Sequence, residues 1–236
     1  MNQTLVFEPS GFDLQTIPGS GNSDVFVRVS GSASAPQYTI QQTGRGPIDG
    51  LGIDGNQTTE RVNINGSTSN LQVFLGQGAD RLTINGAVNS SSIELGDGRD
   101  NATINGPFVN SGLTSGADRD TLAFRGLVSS GYVDAGAGDD LMNLNGDVSG
   151  SVVNLGTGND QVNFSGNATN TTLNLGGGRD RVRFFDDDAN TSGLVIEGAS
   201  ADDRLFIGSS QYKFIGNYTW ENVADPNDDL RFGPPV

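Results

Sequence analysis

The sequence predicts an all-β fold, a β-solenoid with about 20 residues and two short strands in each coil. Three observations predict it. An aspartate recurs every 20 residues through the middle of the chain, and apolar residues alternate with polar ones on both sides of it. The chain also has 35 glycines, many at regular intervals shorter than an ordinary helix, which makes helices unfavourable.

The recurring aspartates each close a glycine-rich pentad. They are Asp80, Asp100, Asp120, Asp140, Asp160 and Asp180. If each coil is one turn of a solenoid, their carboxylates form one row, with neighbours about 4.8 Å apart, the spacing of adjacent strands. Carboxylates at that spacing repel each other, so the row predicts a positive partner, and a hard cation is the simplest one.

The elements of one coil follow from the columns around the pentad. A first strand precedes the pentad and carries the inward column Val73, Ile93, Leu113, Val133, Val153, Leu173. A second strand follows it and carries Ile84, Ile104, Phe124, Leu144, Phe164, Phe184. A turn that is most often Asn-Gly ends the second strand, where glycine is expected to supply a positive φ. One further apolar column, Val88, Phe108, Val128, Val148, Ala168, lies between the two strands.

The repeat weakens towards both ends, which divides the chain into three parts. Residues 51–207 are predicted to form the solenoid, with regular coils over 75–184. Residues 1–50 are predicted to be an N-terminal cap or a degenerate coil, and residues 208–236 a C-terminal cap rich in aromatic side chains. Such end segments cover the open sheet edges that every solenoid has.

Composition excludes several classes of function. The net charge is −15 with one lysine, Lys213, so we expect neither nucleic-acid binding nor attraction to anionic membranes. No apolar run is long enough to cross a membrane. The chain has no cysteine and no histidine, which excludes disulfides, thiolate metal sites and imidazole as a base or ligand.

Calcium fits the pentads best, because it takes six to eight oxygen ligands in flexible geometry. Two successive turns would share one ion, and six turns give about five Ca²⁺ ions in a row. The predicted ligands are the six aspartates with carbonyl groups of the pentads, at Gly76, Gly78, Gly96, Gly98, Gly116, Asp118, Gly136, Gly138, Gly156, Gly158, Gly176 and Gly178. The alternative is that each aspartate only hydrogen-bonds its own turn. Asp118 replaces a glycine and either adds a carboxylate or distorts its loop. Whether the end loops at Glu60 and Asp203 bind calcium stays open.

The segments LGTGNDQVNFSG, AGAGDDLMNLNG and LGGGRDRVRF resemble the calcium-binding repeats of the RTX (repeats-in-toxin) family, over residues 75–184. The resemblance implies a right-handed parallel β-roll, calcium in the loops, calcium-driven folding and an extracellular location. Here Leu usually stands at the first motif glycine, and each coil has one motif rather than two. In this one-sidedness the chain resembles the calcium-bound solenoids of bacterial surface adhesins, including ice-binding ones.

These observations predict a non-enzymatic structural module with no catalytic residues, located outside the cell or on its surface. It would act in matrix or filament assembly or in adhesion, with self-association or a surface glycan as its partners. Two alternatives stay open. One is a polysaccharide-active solenoid enzyme of the lyase or epimerase type, although the acids form a row rather than a catalytic cluster. The other is an ice-binding protein, although the threonine ladder that ice binding needs is broken at most coils.

Overall fold

A computed structural model describes residues 3–6, 14–18, 24–32, 35–42, 46–225 and 227–234. These residues form β-strands joined by turns, and no helix among them could cross a membrane. In chain order the strands are Gln3–Val6 (β1), Leu14–Pro18 (β2), Asp24–Ser32 (β3), Ala35–Gln42 (β4), Ile48–Asp49 (β5), Leu51–Asn56 (β6), Arg61–Asn65 (β7), Thr68–Ser69 (β8), Gln72–Gly76 (β9), Arg81–Ile84 (β10), Val88–Asn89 (β11), Ser92–Glu94 (β12), Asn101–Ile104 (β13), Phe108–Val109 (β14), Gly112–Thr114 (β15), Thr121–Phe124 (β16), Val128–Ser129 (β17), Tyr132–Asp134 (β18), Leu141–Leu144 (β19), Val148–Ser149 (β20), Val152–Asn154 (β21), Gln161–Phe164 (β22), Ala168–Thr169 (β23), Thr172–Asn174 (β24), Arg181–Phe184 (β25), Val195–Glu197 (β26), Arg204–Ile207 (β27), Ser210–Gly216 (β28), Thr219–Asn222 (β29) and Leu230–Arg231 (β30).

The strands stack into three sheets that run along the solenoid. Sheet A contains β6, β9, β12, β15, β18, β21, β24 and β26, and sheet B contains β7, β10, β13, β16, β19, β22, β25 and β27. Their pairing is parallel, and in the regular coils each residue pairs with the one 20 positions later, as Leu82 does with Ala102. The predicted all-β solenoid with 20-residue coils is therefore confirmed. Each regular coil has in addition a third strand of two residues, and these strands form sheet C.

The core is one continuous file of apolar side chains between the sheets. Sheet B contributes Leu82 and Ile84, sheet A contributes Val73 and Leu75, and sheet C contributes Val88, all at most 4% exposed. Larger rings fill the later coils, where Phe164 and Phe184 stack at 4.6 Å between ring centroids. Because every coil leaves its two flat faces open, stacking alone buries this file.

At three of the four Asn-Gly corners glycine has a different role from the one that the sequence predicts, whereas Gly66 adopts the predicted positive φ, of +153°. Gly86, Gly106 and Gly146 do not adopt positive φ. A Cβ added to Gly86 would lie 2.3 Å from the carbonyl oxygen of Gly66, and one added to Gly106 would lie 2.4 Å from the backbone of Gly86. Glycine is needed at this corner because successive coils approach too closely for any side chain.

Antiparallel strands extend both ends of sheet B. At the start, β4 pairs parallel with β7, and β3 pairs antiparallel with β4 and β2. At the other end, β28, β29 and β30 pair antiparallel in turn beyond β27. Trp220 is fully buried there, and the backbone carbonyl of Phe232 accepts a hydrogen bond from the N–H of Ile196 in the last sheet A strand. These segments therefore occupy the backbone groups of the end strands.

Candidate functional site

The six predicted aspartates form a buried row along one corner of the solenoid. Each is at most 4% exposed. In every one, Oδ1 accepts a hydrogen bond from the backbone N–H of the acidic residue one coil earlier. Asp80 N–H donates to Asp100 at 2.7 Å, and Asp160 N–H donates to Asp180 at 2.9 Å. The row is thus a ladder in which each carboxylate fastens its coil to the coil before it. Sequence reasoning expected the aspartate either to bind metal or to cap its own turn, and did not anticipate this bond between coils.

The glycine pentads bring the coils close enough for this ladder. Gly96 has a φ of +101°, and an added Cβ would lie 1.7 Å from the carbonyl oxygen of Gly76. The residue between the two glycines bridges neighbouring coils, since Asp97 N–H donates to Gly76 O and Asp97 O accepts from Gly78 N–H, both at 2.9 Å. The pentad is therefore a sharp corner whose glycines adopt positive φ, and its backbone stacks directly on that of the next pentad.

Asp118 stands where the other pentads have their second glycine. It adopts a φ of +76°, a strained conformation for a residue with a side chain, and its side chain is exposed. The bridges from Asp97 to Ala117 and on to Ala137 persist. Two backbone hydrogen bonds that the neighbouring pentads make are absent here among the described residues, from Ala117 N–H to Gly96 O and from Asp118 N–H to Ala137 O, so the loop is locally distorted. The Asp118 charge contributes to raising the pKa of the buried Asp100 carboxyl.

The second carboxylate oxygen is the unusual feature of the row. In all six aspartates Oδ2 is buried and has no hydrogen-bond partner among the residues that the structure describes. Burial raises the pKa of Asp100, Asp120 and Asp160 to about 7, and of Asp140 and Asp180 to about 6. The bond to backbone N–H opposes this shift, and nearby carboxylates reinforce it. A buried carboxyl group without a hydrogen-bond partner for one oxygen is stable only if it is protonated or lies next to a cation.

Two further acids extend the row at its ends. Glu60 is fully buried, its N–H donates to Asp80 Oδ1 at 2.7 Å, and its Oε1 accepts a hydrogen bond from Thr58 Oγ1 at 2.7 Å. Asp203 is 1% exposed and its Oδ1 accepts from Asp180 N–H at 2.8 Å. Its Oδ2 accepts from the N–H of Ser200 at 2.6 Å, so both of its oxygens are used. The ladder therefore contains eight acids, and Asp203 differs from the six predicted aspartates in that both of its oxygens are engaged.

The free oxygens in the row fit a hard cation in chemical type. Each regular coil offers Oδ2 of its aspartate and the carbonyl of the residue two positions before it, such as Gly98, which accepts no hydrogen bond in the described part of the chain. Carboxylate and carbonyl oxygens are the ligands that calcium takes. No three acidic side chains of the described residues lie close enough together to hold an ion alone. Backbone carbonyls such as that of Gly98 would have to complete the coordination, and the first-glycine carbonyls, such as Gly76 O, already accept bonds between coils.

A second buried ladder, which sequence reasoning missed, lies at the corner between sheets C and A. Ser91 Oγ accepts from Leu71 N–H at 3.1 Å, and Ser111 Oγ accepts from Ser91 N–H at 3.0 Å. The same hydroxyls donate to a carbonyl two residues back, as Ser91 does to Asn89 O at 2.7 Å. The signal was present in the sequence as a period-20 column, Ser91, Ser111, Ser151 and Thr171. It is easily overlooked because serine is common in turns.

The arginines of the pentads, Arg99, Arg119 and Arg179, lie exposed beside the buried acid row. Arg119 forms an ion pair with Asp139, an exposed residue next to the row, at 3.8 Å. Arg81 and Arg181 begin strands of sheet B and lie exposed on its outer face. Of the arginines beside the row, the charge of Arg119 opposes the rise in the pKa of the buried Asp140 carboxyl.

Comparison with known proteins found no protein-family model, no curated protein and no solved structure that matches this chain.

Proposed function

We propose that this chain is a structural module of the cell surface or extracellular matrix, a solenoid rod whose buried acid row binds calcium. The observation that carries the proposal is the file of unpartnered Oδ2 atoms, in register from coil to coil and buried. A row of this kind leaves a deficit of positive charge in every coil. Divalent ions would supply that charge, and their binding free energy would add to the free energy of folding.

The side chains of the row support a structural rather than a catalytic use. Each Oδ1 is engaged by a backbone N–H at 2.7–2.9 Å, so the carboxylates are held in place by the coil before them. Repeated identical contacts produce a stiff rod, about 34 Å long over the eight parallel strands of sheet B. Such a rod suits spacing, adhesion or assembly outside the cell.

Calcium-dependent melting tests the proposal. We expect the melting temperature at pH 8, followed by circular dichroism, to rise with added Ca²⁺ and fall with chelator. A site that is saturated a hundredfold over its Kd contributes about 2.7 kcal/mol. That corresponds to roughly 5–11 °C in a chain of this length. Metal analysis of the dialysed protein should find about five ions per chain.

Asp139→Asn is the matched control for Asp140→Asn. Asp139 lies in the same pentad but is exposed, whereas Asp140 is buried in the row. The calcium-dependent rise should survive in the first variant and shrink in the second. A melting temperature that is the same in calcium and in chelator would overturn the proposal for calcium. Equal losses in the two variants would place the ions outside the row.

A further inference from the structure

The outer faces of sheets A and B carry charges of opposite sign. We call the outward residues of β7, β10, β13, β16, β19, β22, β25 and β27 face B. It contains no Asp or Glu, on a chain that has 28 of them. It does contain five arginines, Arg61, Arg81, Arg181, Arg183 and Arg204.

The opposite holds on face A, the outward residues of β6, β9, β12, β15, β18, β21, β24 and β26. Its outward positions carry neither Lys nor Arg. It has four acids, Asp54, Glu94, Asp134 and Glu197. The charged side chains of each face therefore have one sign and do not neutralise one another within that face.

Face B holds its arginines without ionic partners. Within the described residues, Arg61, Arg81, Arg181 and Arg183 form no ion pair. Arg61 and Arg81 are direct neighbours in the strand register, and so are Arg181 and Arg204. Like charges directly opposite in a sheet destabilise it, so this arrangement costs the isolated chain free energy.

Aromatic rings orient the arginines at the end of face B. The guanidinium of Arg181 lies 5.2 Å from the ring centroid of Phe206, and that of Arg183 lies 5.3 Å from it. Arg183 also lies 5.5 Å from the ring of Phe185, which is 56% exposed, and its Nε is buried without a partner. The rings thus hold the two side chains against the surface, and the guanidinium N–H groups other than the buried Arg183 Nε remain for an anionic partner.

Face A has a feature with the complementary chemistry. Phe74 is 44% exposed, and its neighbours in the strand register are Asp54 on one side and Glu94 on the other. Two shallow grooves meet at this ring, and Phe74 and Glu94 line both of them. An exposed ring between two carboxylates offers a guanidinium one stacking surface and two charged acceptors.

We propose that face B of one copy packs against face A of a second copy, with the Arg181–Arg183–Phe206 cluster seated at the Asp54–Phe74–Glu94 groove. Such a contact uses different surfaces on its two partners, so each added copy leaves one face of each kind free. Contacts of this type grow into open-ended assemblies. The inference deepens the proposed function by naming its partner. It does not depend on calcium, so its failure leaves the melting test unaffected.

Charge reversal on each face tests the contact with the full chain. We expect the sedimentation coefficient of the wild-type chain to rise with concentration, and Arg181→Glu with Arg183→Glu to abolish that rise. Asp54→Arg with Glu94→Arg should abolish it equally. An equimolar mixture of the two variants should recover association, because the reversed faces are again complementary. The matched controls are Arg99→Glu with Arg179→Glu and Asp202→Arg with Asp229→Arg, which change net charge equally outside the two faces.

Each result decides the proposal. Association that is lost in both face variants, kept in both controls and regained on mixing supports it, with circular dichroism confirming that every variant is folded. A wild-type chain that stays monomeric at its solubility limit would overturn it. If that monomer also binds polygalacturonate through face B, the partner is an acidic polysaccharide instead. Association that persists in the face variants would also overturn it.

Discussion

The aspartate row and the serine ladder perform the same mechanical task at two corners of the solenoid. In both, a side-chain oxygen accepts the backbone N–H of the coil before it, as Asp140 does for Asp120 at 2.7 Å and Ser151 does for Gly131 at 3.1 Å. The serine hydroxyl then donates to the carbonyl of Ser149 at 2.9 Å, and its hydrogen bonding is complete. The aspartate has a second oxygen that no hydrogen-bond donor in the described part of the chain satisfies.

This difference between serine and aspartate shows which corner only joins the coils and which one could also bind a ligand. A serine would suffice to join coils, since one oxygen and one proton satisfy both neighbours. An aspartate at the same task adds a negative charge to a buried site, which is unfavourable unless a proton or cation is present. The acid corner is therefore the part of the repeat that can respond to its surroundings, and the serine corner is the part that cannot.

The largest expected effect that distinguishes the two corners is pH. Five aspartates of the row, Asp100 to Asp180, have folded-state pKa values of about 6–7, above the unfolded value near 3.9, so the folded chain binds more protons between about pH 4 and pH 7. Stability is then greatest at the acidic side of that window and falls as pH rises through 6–7. In chelator, the melting temperature should be higher at pH 5 than at pH 8.

Calcium should reverse this dependence, because it binds the ionised carboxylates and lowers their pKa. With Ca²⁺ present, melting at pH 8 should equal or exceed melting at pH 5. Melting temperatures in chelator that do not change between pH 5 and pH 8 would contradict the raised pKa values. The serine ladder has no titratable group and contributes nothing to either curve.

A smaller effect is expected from single substitutions at Asp140. Asp140→Ala removes the acceptor and leaves the buried N–H of Asp120 unpaired, at a cost of about 1–3 kcal/mol. Asp140→Asn keeps an oxygen for that N–H, so in chelator it should melt above Asp140→Ala. Both variants should gain less from calcium than wild type does. Equal melting of the two variants in chelator would show that the bond between coils adds no stability.

The matching change at the other corner is Ser151→Ala. It leaves the Gly131 N–H unpaired and should lower the melting temperature by a few degrees, corresponding to about 1 kcal/mol. Its calcium-dependent rise and its pH dependence should both equal those of wild type. A change in either would mean that the two corners are coupled through the coil.

The period of 20 was sufficient to predict the solenoid, the inward columns and the acid row. The two-residue strands of sheet C were not predicted, because one inward residue such as Val88 shows no alternation. Whether Asp Oδ1 accepts from its own turn or from the coil before it depends on how far successive corners are offset along the solenoid. The spacing of residues in the sequence does not reveal that offset. The sequence leaves open whether Glu60 and Asp203 belong to the acid row. Glu60 has a longer side chain than aspartate, and Asp203 follows an insertion, so that it lies 23 residues after Asp180.

The charge of the two faces could have been read from the same columns. Outward positions alternate with buried ones, so Arg181 and Arg183 share one face, and Glu94 belongs to the other. In a strand, adjacent residues point to opposite faces, and a residue next to a buried aspartate is therefore exposed.

The smallest expected effect lies within the acid row itself, at its C-terminal end. Asp180 and Asp140 are both interior members, because the ladder continues to Asp203, so their asparagine variants should lose similar amounts of calcium-dependent stability. Asp203 has no free oxygen, since Asp180 N–H and Ser200 N–H occupy both. Asp203→Asn should therefore reduce the calcium response least of the three, even though it lies in the same row. The measurement is a calcium titration of each variant at pH 8. A loss at Asp203 as large as that at Asp180 would mean that calcium binding does not depend on the unpartnered oxygen.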